Sequence, residues 1–251
     1  MCLKKIFFFF LSVLFVVQLA SVQAAETALQ PPTKSDPPEV WQKWRSQIKH
    51  LRKTLLGNHD WRKEGIHNGN QVSTVFYNYG TIGQPSNTAS LVWPKGGYDY
   101  GFEFGVLIAA EVFDTLGIRR HILSEGLDTG GDRAPNGLPW GFEPLAGYAR
   151  YEQEFIAMSD DKSSWPASWP NRPPEWAGKW IAEYGLDAAT ADQESYYIMD
   201  DAANAEFGFF PDRNDRNRRG LGIEVESRGY QWHQTLAQDC IFFIYNVKNV
   251  G

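Results

Sequence analysis

LGIEVESRGYQWHQTLAQDCIFFIYNVKNVG, residues 221–251, carries the clearest strand signals in the chain. Leu221, Ile223 and Val225 alternate with Gly222, Glu224 and Glu226, the period-two pattern of a strand with one buried face. Arg228-Gly229 interrupts the alternation and reads as a bulge or bend. From Cys240 to Tyr245 the chain is continuously apolar, β-branched and aromatic. A run this short reads as a strand buried on both faces. Such a strand needs neighbours on both sides, supplied either by earlier strands or by chain beyond residue 251. An exposed apolar edge is a liability, so the β-rich domain, residues 66–251, is expected to be incomplete at its C-terminus, with further C-terminal domains beyond it.

Working back from this stretch, YYIMD at 196–200 reads as a strand, and FGFFPDRNDRNRRG (207–220) as the polar loop that leads on to the last sheet. IRRHIL (118–123) pairs back on FEFGVLIAAEVFD (102–114) across a Thr115-Leu116-Gly117 turn. Gly105 and Ala109-Ala110 suggest that the latter segment packs closely on another sheet. SLVWPKGG (90–97) is a strand ended by Pro94, and an Asn-Gly turn at 68–69 precedes the alternating QVSTVFYNYG. Residues 124–147 are loop-like, and YARYEQEFIAM (148–158) fits a short helix or a strand. With 23 Gly and 14 Pro, short strands and loops are favoured over long helices. The expected class is mainly β: sandwich-like antiparallel sheets with one N-terminal amphipathic helix and long Trp/Pro/Gly-rich loops.

That helix is expected over 39–57. Trp41, Trp44, Ile48, Leu51 and Leu55 recur at three- and four-residue steps, and Gly57-Asn58 would end it. Its outer face carries Lys43, Arg45, Lys49, Arg52 and Lys53. This basic stripe suits docking on the chain's own body, on a partner or on an acidic envelope surface, or plain solvation. Residues 25–38, with four prolines, form a linker.

The first residues read as an address. Lys4 and Lys5 precede an apolar run, Ile6 to Val17, broken only by Ser12. Val22 and Ala24 then have the spacing of a signal-peptidase site, so residues 1–24 form an export signal. The apolar run is short of the roughly 20 residues of a membrane span, so no span is expected after cleavage. The expected location is extracellular, cell-surface or periplasmic. Cleavage leaves Cys240 as the one cysteine, so no internal disulfide forms. Lying in an apolar run, Cys240 reads as a buried structural thiol rather than a nucleophile. The net charge of −6, with no basic tract in the body, argues against a nucleic-acid partner.

Catalytic constellations are missing at the level of sequence: no GxSxG, no HExxH and no phosphate-binding glycine loop. The five histidines show no metal spacing. Asp212, Asn214, Asp215 and Asn217 invite a calcium reading, but Arg216 and Asn217 stand where an EF-hand needs an oxygen ligand and a glycine, and four arginines surround them. No metal and no cofactor is expected there, and a solvated, salt-bridged loop is the plainer account. Asp160-Asp161 and Asp200-Asp201 are equally ambiguous. Glu111, Glu143 and Asp128 supply carboxylates for a glycosidase-like pair, whose chemistry depends on a separation of about 5–10 Å. The residues singled out for ligand binding are Trp165, Trp169, Trp176 and Trp180, in SWPASWPNRPPEWAGKW (164–180). Flat rings with a polar handle suit sugars and protein interfaces; the plainer reading is that they cap the end of a sandwich core.

NGNQVSTVFYNYGTIG (68–83), VWPKG (92–96) and EFGVLIAAEV (103–112), followed by blocks between 192 and 249, resemble the N-terminal region of large secreted and surface proteins of Bacteroidota-like bacteria. Many of these end in a sorting domain for type IX secretion. The resemblance covers residues 66–251 and implies export, but it implies no activity and no catalytic residue. Some members carry a calcium-like loop near the Trp-Pro region; PNRPPEW stands there in this chain, so no metal is carried over.

The leading expectation is a non-catalytic secreted or cell-surface module. The alternatives are a carbohydrate-binding module using the four tryptophans, with polysaccharide or other envelope components as partners, and a hydrolase with carboxylates on loops 124–147 and 200–219.

Overall fold

The computed structural model describes residues 55–84, 89–129, 131–145, 148, 154–165, 180 and 191–251, with isolated positions near residue 40. The chain divides into two compact units, one of Met1–Arg52 with Asn171–Lys179 and one of Lys53–Pro170 with Trp180–Gly251. Nearly every described residue belongs to the second. Among its described residues the secondary structure is mainly β and antiparallel, with two short 3-10 turns, His59–Trp61 and Lys162–Ser164. Among the described residues no helix is long and apolar enough to cross a membrane.

The strands are β1 (Glu64–His67), β2 (Thr74–Tyr77), β3 (Val92–Trp93), β4 (Tyr98–Asp99), β5 (Leu107–Phe113), β6 (Arg119–Glu125), β7 (Glu143–Pro144), β8 (Ala157–Met158), β9 (Gln193–Asp200), β10 (Ile223–Gln231) and β11 (Phe242–Asn249). A five-stranded sheet in the order β11-β10-β9-β7, with β8 also on β9, is the organising element. The pairs β1–β2, β3–β4 and β5–β6 each form a two-stranded ribbon.

The meander from β9 to β11 is the part most directly written in the sequence. Along β10 the ladder is unbroken, with Arg228 opposite Ile244 and Tyr196, and Gly229 opposite Phe243 and Ser195. The bulge expected at Arg228-Gly229 is therefore absent. Glycine is present for another reason: a Cβ there would strike the His67 ring and the Ser195 hydroxyl.

One face of this sheet builds the core. Met199 and Val225 lie side by side in register, and with Tyr197 they meet Phe76 of β2 and Phe142, Ile156 and Met158. Burying such side chains contributes about 1.5–3 kcal/mol each. Contrary to the one-sided pattern expected of β10, its other face is also covered: Glu224, Arg228 and Tyr230 are buried as well. Polar residues on a strand do not establish a wet face when partners are at hand. Here Arg228 lies over the Tyr196 ring at 4.2 Å.

β11 corrects a second expectation. It starts at Phe242, lies at the sheet edge and is covered on one side only. Phe243 and Tyr245 pack on the core, whereas Phe242 and Ile244 on the opposite face are exposed, as is Val247 farther along the strand. Cys240 falls in the connection before the strand and is exposed, not a buried thiol. An unbroken apolar run cannot by itself separate a covered strand from an edge strand.

The hairpin β5–β6 forms as the sequence suggests, Phe113 opposite Arg119. The Asp114 carboxylate accepts from the backbone N–H groups of Leu116 and Ile118 and from Arg120 Nε. The Ile118 N–H, more than Arg120 and Leu116 beside it, holds that carboxyl below its ordinary range. Yet segment 102–114 is not core. Phe102, Phe104, Leu107 and Phe113 are exposed, with only Val106 and Ile108 partly packed on the core cluster.

The helix expected over 39–57 lies almost wholly outside the described residues. At its far end Leu55 and Leu56 are irregular and Gly57 already bridges Leu145. The export signal and the linker also lie outside the described residues.

Candidate functional site

Three of the carboxylates considered for chemistry can be placed. Glu111 sits on the exposed β5 ribbon beside His121 and Arg119. Asp128 and Glu143 come together around Arg62. The guanidinium donates to Glu143 through Nε at 2.7 Å and Nη2 at 3.0 Å, and Nη1 stands 3.7 Å from Asp128. Its plane lies over the Tyr79 ring, 3.7 Å from the centroid. Such a forked pair is geometrically specific. Strand β7 directs Glu143 inward, and the extended residue Arg62 follows the 3-10 turn that Asn58 caps. His59 in that turn places Nδ1 3.1 Å from Glu143 Oε1. Gln84 bonds Asp128 Oδ2 at 3.1 Å and accepts from the Tyr77 hydroxyl at 2.5 Å. The two carboxylates therefore lie side by side on one cation. The guanidinium is shared between them, forked on Glu143 and more distant from Asp128.

Asp200 and Asp201 are both buried. Asp200 accepts from Gly57 N at 2.9 Å and from Arg218 Nη1 at 3.1 Å, while Arg218 Nη2 reaches the Leu55 carbonyl. Burial pushes the Asp200 carboxyl up, to about 7, against the pull of Arg218 and the backbone donors. Asp201 is raised by burial too, opposed by the N–H groups of Ile223 and Leu221 and by Ser124. Those donors lie 2.7–2.8 Å away and set the entry to β10. Gly220, at φ +63, leaves the room that a side chain would take from Asp201. Arg218, read from sequence as part of a solvated loop, is thus an interior cation. In the same loop Asp212 and Asp215 accept from Asn214 N and Asn217 N. These are local side-chain turns. Among the described residues no three His, Cys, Asp or Glu side chains are grouped to hold a metal.

His67 Nε2 lies 2.9 Å from Ser195 Oγ, a nucleophile-and-base distance. Both residues are fully buried, so no substrate reaches them. Burial holds the imidazole down at about 4, with the Gln231 and Gln193 amides acting in the opposite direction.

Of the four tryptophans, Trp169 and Trp176 lie outside the described residues. Trp165 and Trp180 pack on each other, ring centroids 5.6 Å apart. The Trp165 indole N–H donates to the Met158 carbonyl and that of Trp180 to Glu194, both at 2.7 Å. Trp180 is 8% exposed and offers no open ring face; Trp165 is half-buried.

The open aromatic surface lies elsewhere. Trp93, Tyr98, Tyr100, Phe102 and Phe104 are between 45% and 78% exposed. Trp93 and Tyr98 are opposite one another in the β3–β4 pair, and the Trp93 and Tyr100 rings are 6.4 Å apart. From Tyr100 onward exposed aromatics alternate with the less exposed Gly101, Glu103 and Gly105. Sequence reasoning passed over this surface, although the signal is present as YDYGFEF, with an aromatic at every second residue.

Compared with known proteins, the chain matches no family model, no curated protein and no solved structure.

Proposed function

We propose that the chain is a non-catalytic secreted or cell-surface module that acts by binding. The observation that carries this reading is the commitment of its interior ionisable groups to internal partners: Glu143 to Arg62 and His59, Asp200 to Arg218, Asp201 to backbone donors. A hydrolase needs a carboxylate free to exchange a proton during turnover, and Glu143, Asp200 and Asp201 are tied to internal partners. For the hydrolase alternative the remaining loop carboxylates include Glu206, raised by partial burial and then by Asp132 of the 124–147 loop, so turnover lost in Glu206→Gln favours it over the binding module. Export rests on the signal-like residues 1–24 and on the resemblance of 66–251 to the N-terminal region of large secreted proteins. On this reading the β1–β2 ribbon, which delivers Phe76 to the core, is the second layer of a sandwich, and 39–57 is its N-terminal helix. The test is incubation of the mature protein with a panel of glycans and peptides. No turnover is expected; turnover abolished by Glu143→Gln contradicts the proposal.

A further inference from the structure

We infer that the exposed aromatic row Trp93–Tyr98–Tyr100–Phe102–Phe104 binds a neutral, linear polysaccharide. The inference rests on the reading of the chain as a binding module. Monomeric proteins seldom leave large contiguous apolar patches open to water, and this one sets five rings together, each at least 45% exposed. The row is held open by its backbone. Tyr100 N and Gly101 N donate to the carbonyls of Leu91 and Ser90, and Phe104 exchanges bonds with Ile82 in both directions. Trp93 faces Tyr98 across the ladder and its ring lies 6.4 Å from the Tyr100 ring. Phe102 and Phe104 continue the exposed alternation along the chain, so the rings succeed one another along one segment. A linear polymer of flat rings fits such a succession. Aromatic faces stack on apolar ring faces, and the phenol hydroxyls of Tyr98 and Tyr100 donate to and accept from sugar hydroxyls.

Charge selects among polymers. Lys95 is the only cation between residues 93 and 104, and its ammonium donates to the Asn68 carbonyl at 2.8 Å. Asp99 and Glu103 bring negative charge that is taken up by the N–H groups of Ser90 and Thr129. A polyanion or an anionic membrane surface therefore finds no other cation along the row and is disfavoured. The Trp93 indole N–H is fixed by Asp239 Oδ1 at 2.9 Å, which orients one ring before any ligand arrives and lowers the ordering cost of binding.

Native affinity electrophoresis tests this, with barley β-glucan or xylan as the neutral probe and polygalacturonate as the anionic one. Wild type is expected to be retarded by a neutral glycan and not by polygalacturonate. The Y98A/Y100A/F102A/F104A variant, with an unchanged circular-dichroism spectrum, is expected to migrate as in an empty gel. Should that variant fail to fold, Tyr98→Ser, at the most exposed ring, is expected to bind about tenfold more weakly. The inference is overturned by no retardation in either neutral glycan, by equal retardation of wild type and a folded variant, or by a wild-type dimer that the substitutions dissociate. Retardation accompanied by cleavage of the glycan supports the row as a binding site and overturns the non-catalytic reading instead.

Discussion

Gly229 and His67 illustrate how single residues are fixed by their neighbours rather than by strand pattern. A methyl at residue 229 would enter the space of the His67 ring and Ser195 Oγ, in a core where overpacking costs about 1–3 kcal/mol. Gly229→Ala is therefore expected to lower stability by about 2–3 kcal/mol, read from the urea midpoint. His67 gives a pH signature. Its folded value, about 4, lies below the ordinary 6.5, so the unfolded chain binds the extra proton between those limits. The stability contributed by keeping His67 neutral is complete above pH 6.5 and lost as pH falls towards 4. A shift of this size corresponds to about 3 kcal/mol. Asp200, raised by burial to about 7, works in the opposite sense, its contribution declining as pH rises through 7. Unfolding of wild type and His67→Gln at pH 7.5 and pH 4.5 separates the two. The variant is expected to lose less stability on acidification than wild type.

At the scale of elements, the polar side chains that hold strands together matter as much as the apolar pattern. Arg62 joins the 59–61 turn to β7 and the 128 loop. Removing one partner of a buried ion pair leaves an uncompensated charge, at about 3–5 kcal/mol. Arg62→Ala should therefore destabilise more than Glu143→Gln, because it strands the more deeply buried Glu143 carboxylate, whereas Glu143→Gln leaves Arg62 with Asp128 nearby. Thermal unfolding of both variants checks the order. β11 supplies a contrast. Ile244→Lys on the exposed side of the edge strand should cost less than about 1 kcal/mol, whereas Ile198→Ala at the centre of β9, fully buried, should cost about 2–5 kcal/mol. The strands β9, β10 and β5–β6 were legible because alternation and turn residues are local properties. The burial of Glu224, Arg218 and Arg228 was not legible, because it depends on partners far away in the chain. Cys240 was misplaced, and segment 102–114 was assigned to the interior, because apolar character was equated with cover. The open face of Tyr98, Tyr100, Phe102 and Phe104 is the consequence: its alternation is plain in the sequence, but only the fold shows which face is left to solvent.

Within the described unit Glu143, Asp200, Asp201 and Arg218 are buried, while Trp93, Tyr98, Tyr100, Phe102 and Phe104 are exposed at the β3–β4 ribbon and the segment after it. The most direct measurement compares two variants for two properties: Arg62→Ala and Y98A/Y100A/F102A/F104A, each assayed for urea midpoint and for retardation by a neutral glycan. The ion-pair variant is expected to lose stability and, under conditions where it stays folded, keep its glycan binding. The aromatic variant is expected to keep its midpoint and lose its binding. Loss of binding in the folded Arg62→Ala protein, with binding intact in the aromatic variant, would contradict the account and return function to the carboxylates around Arg62.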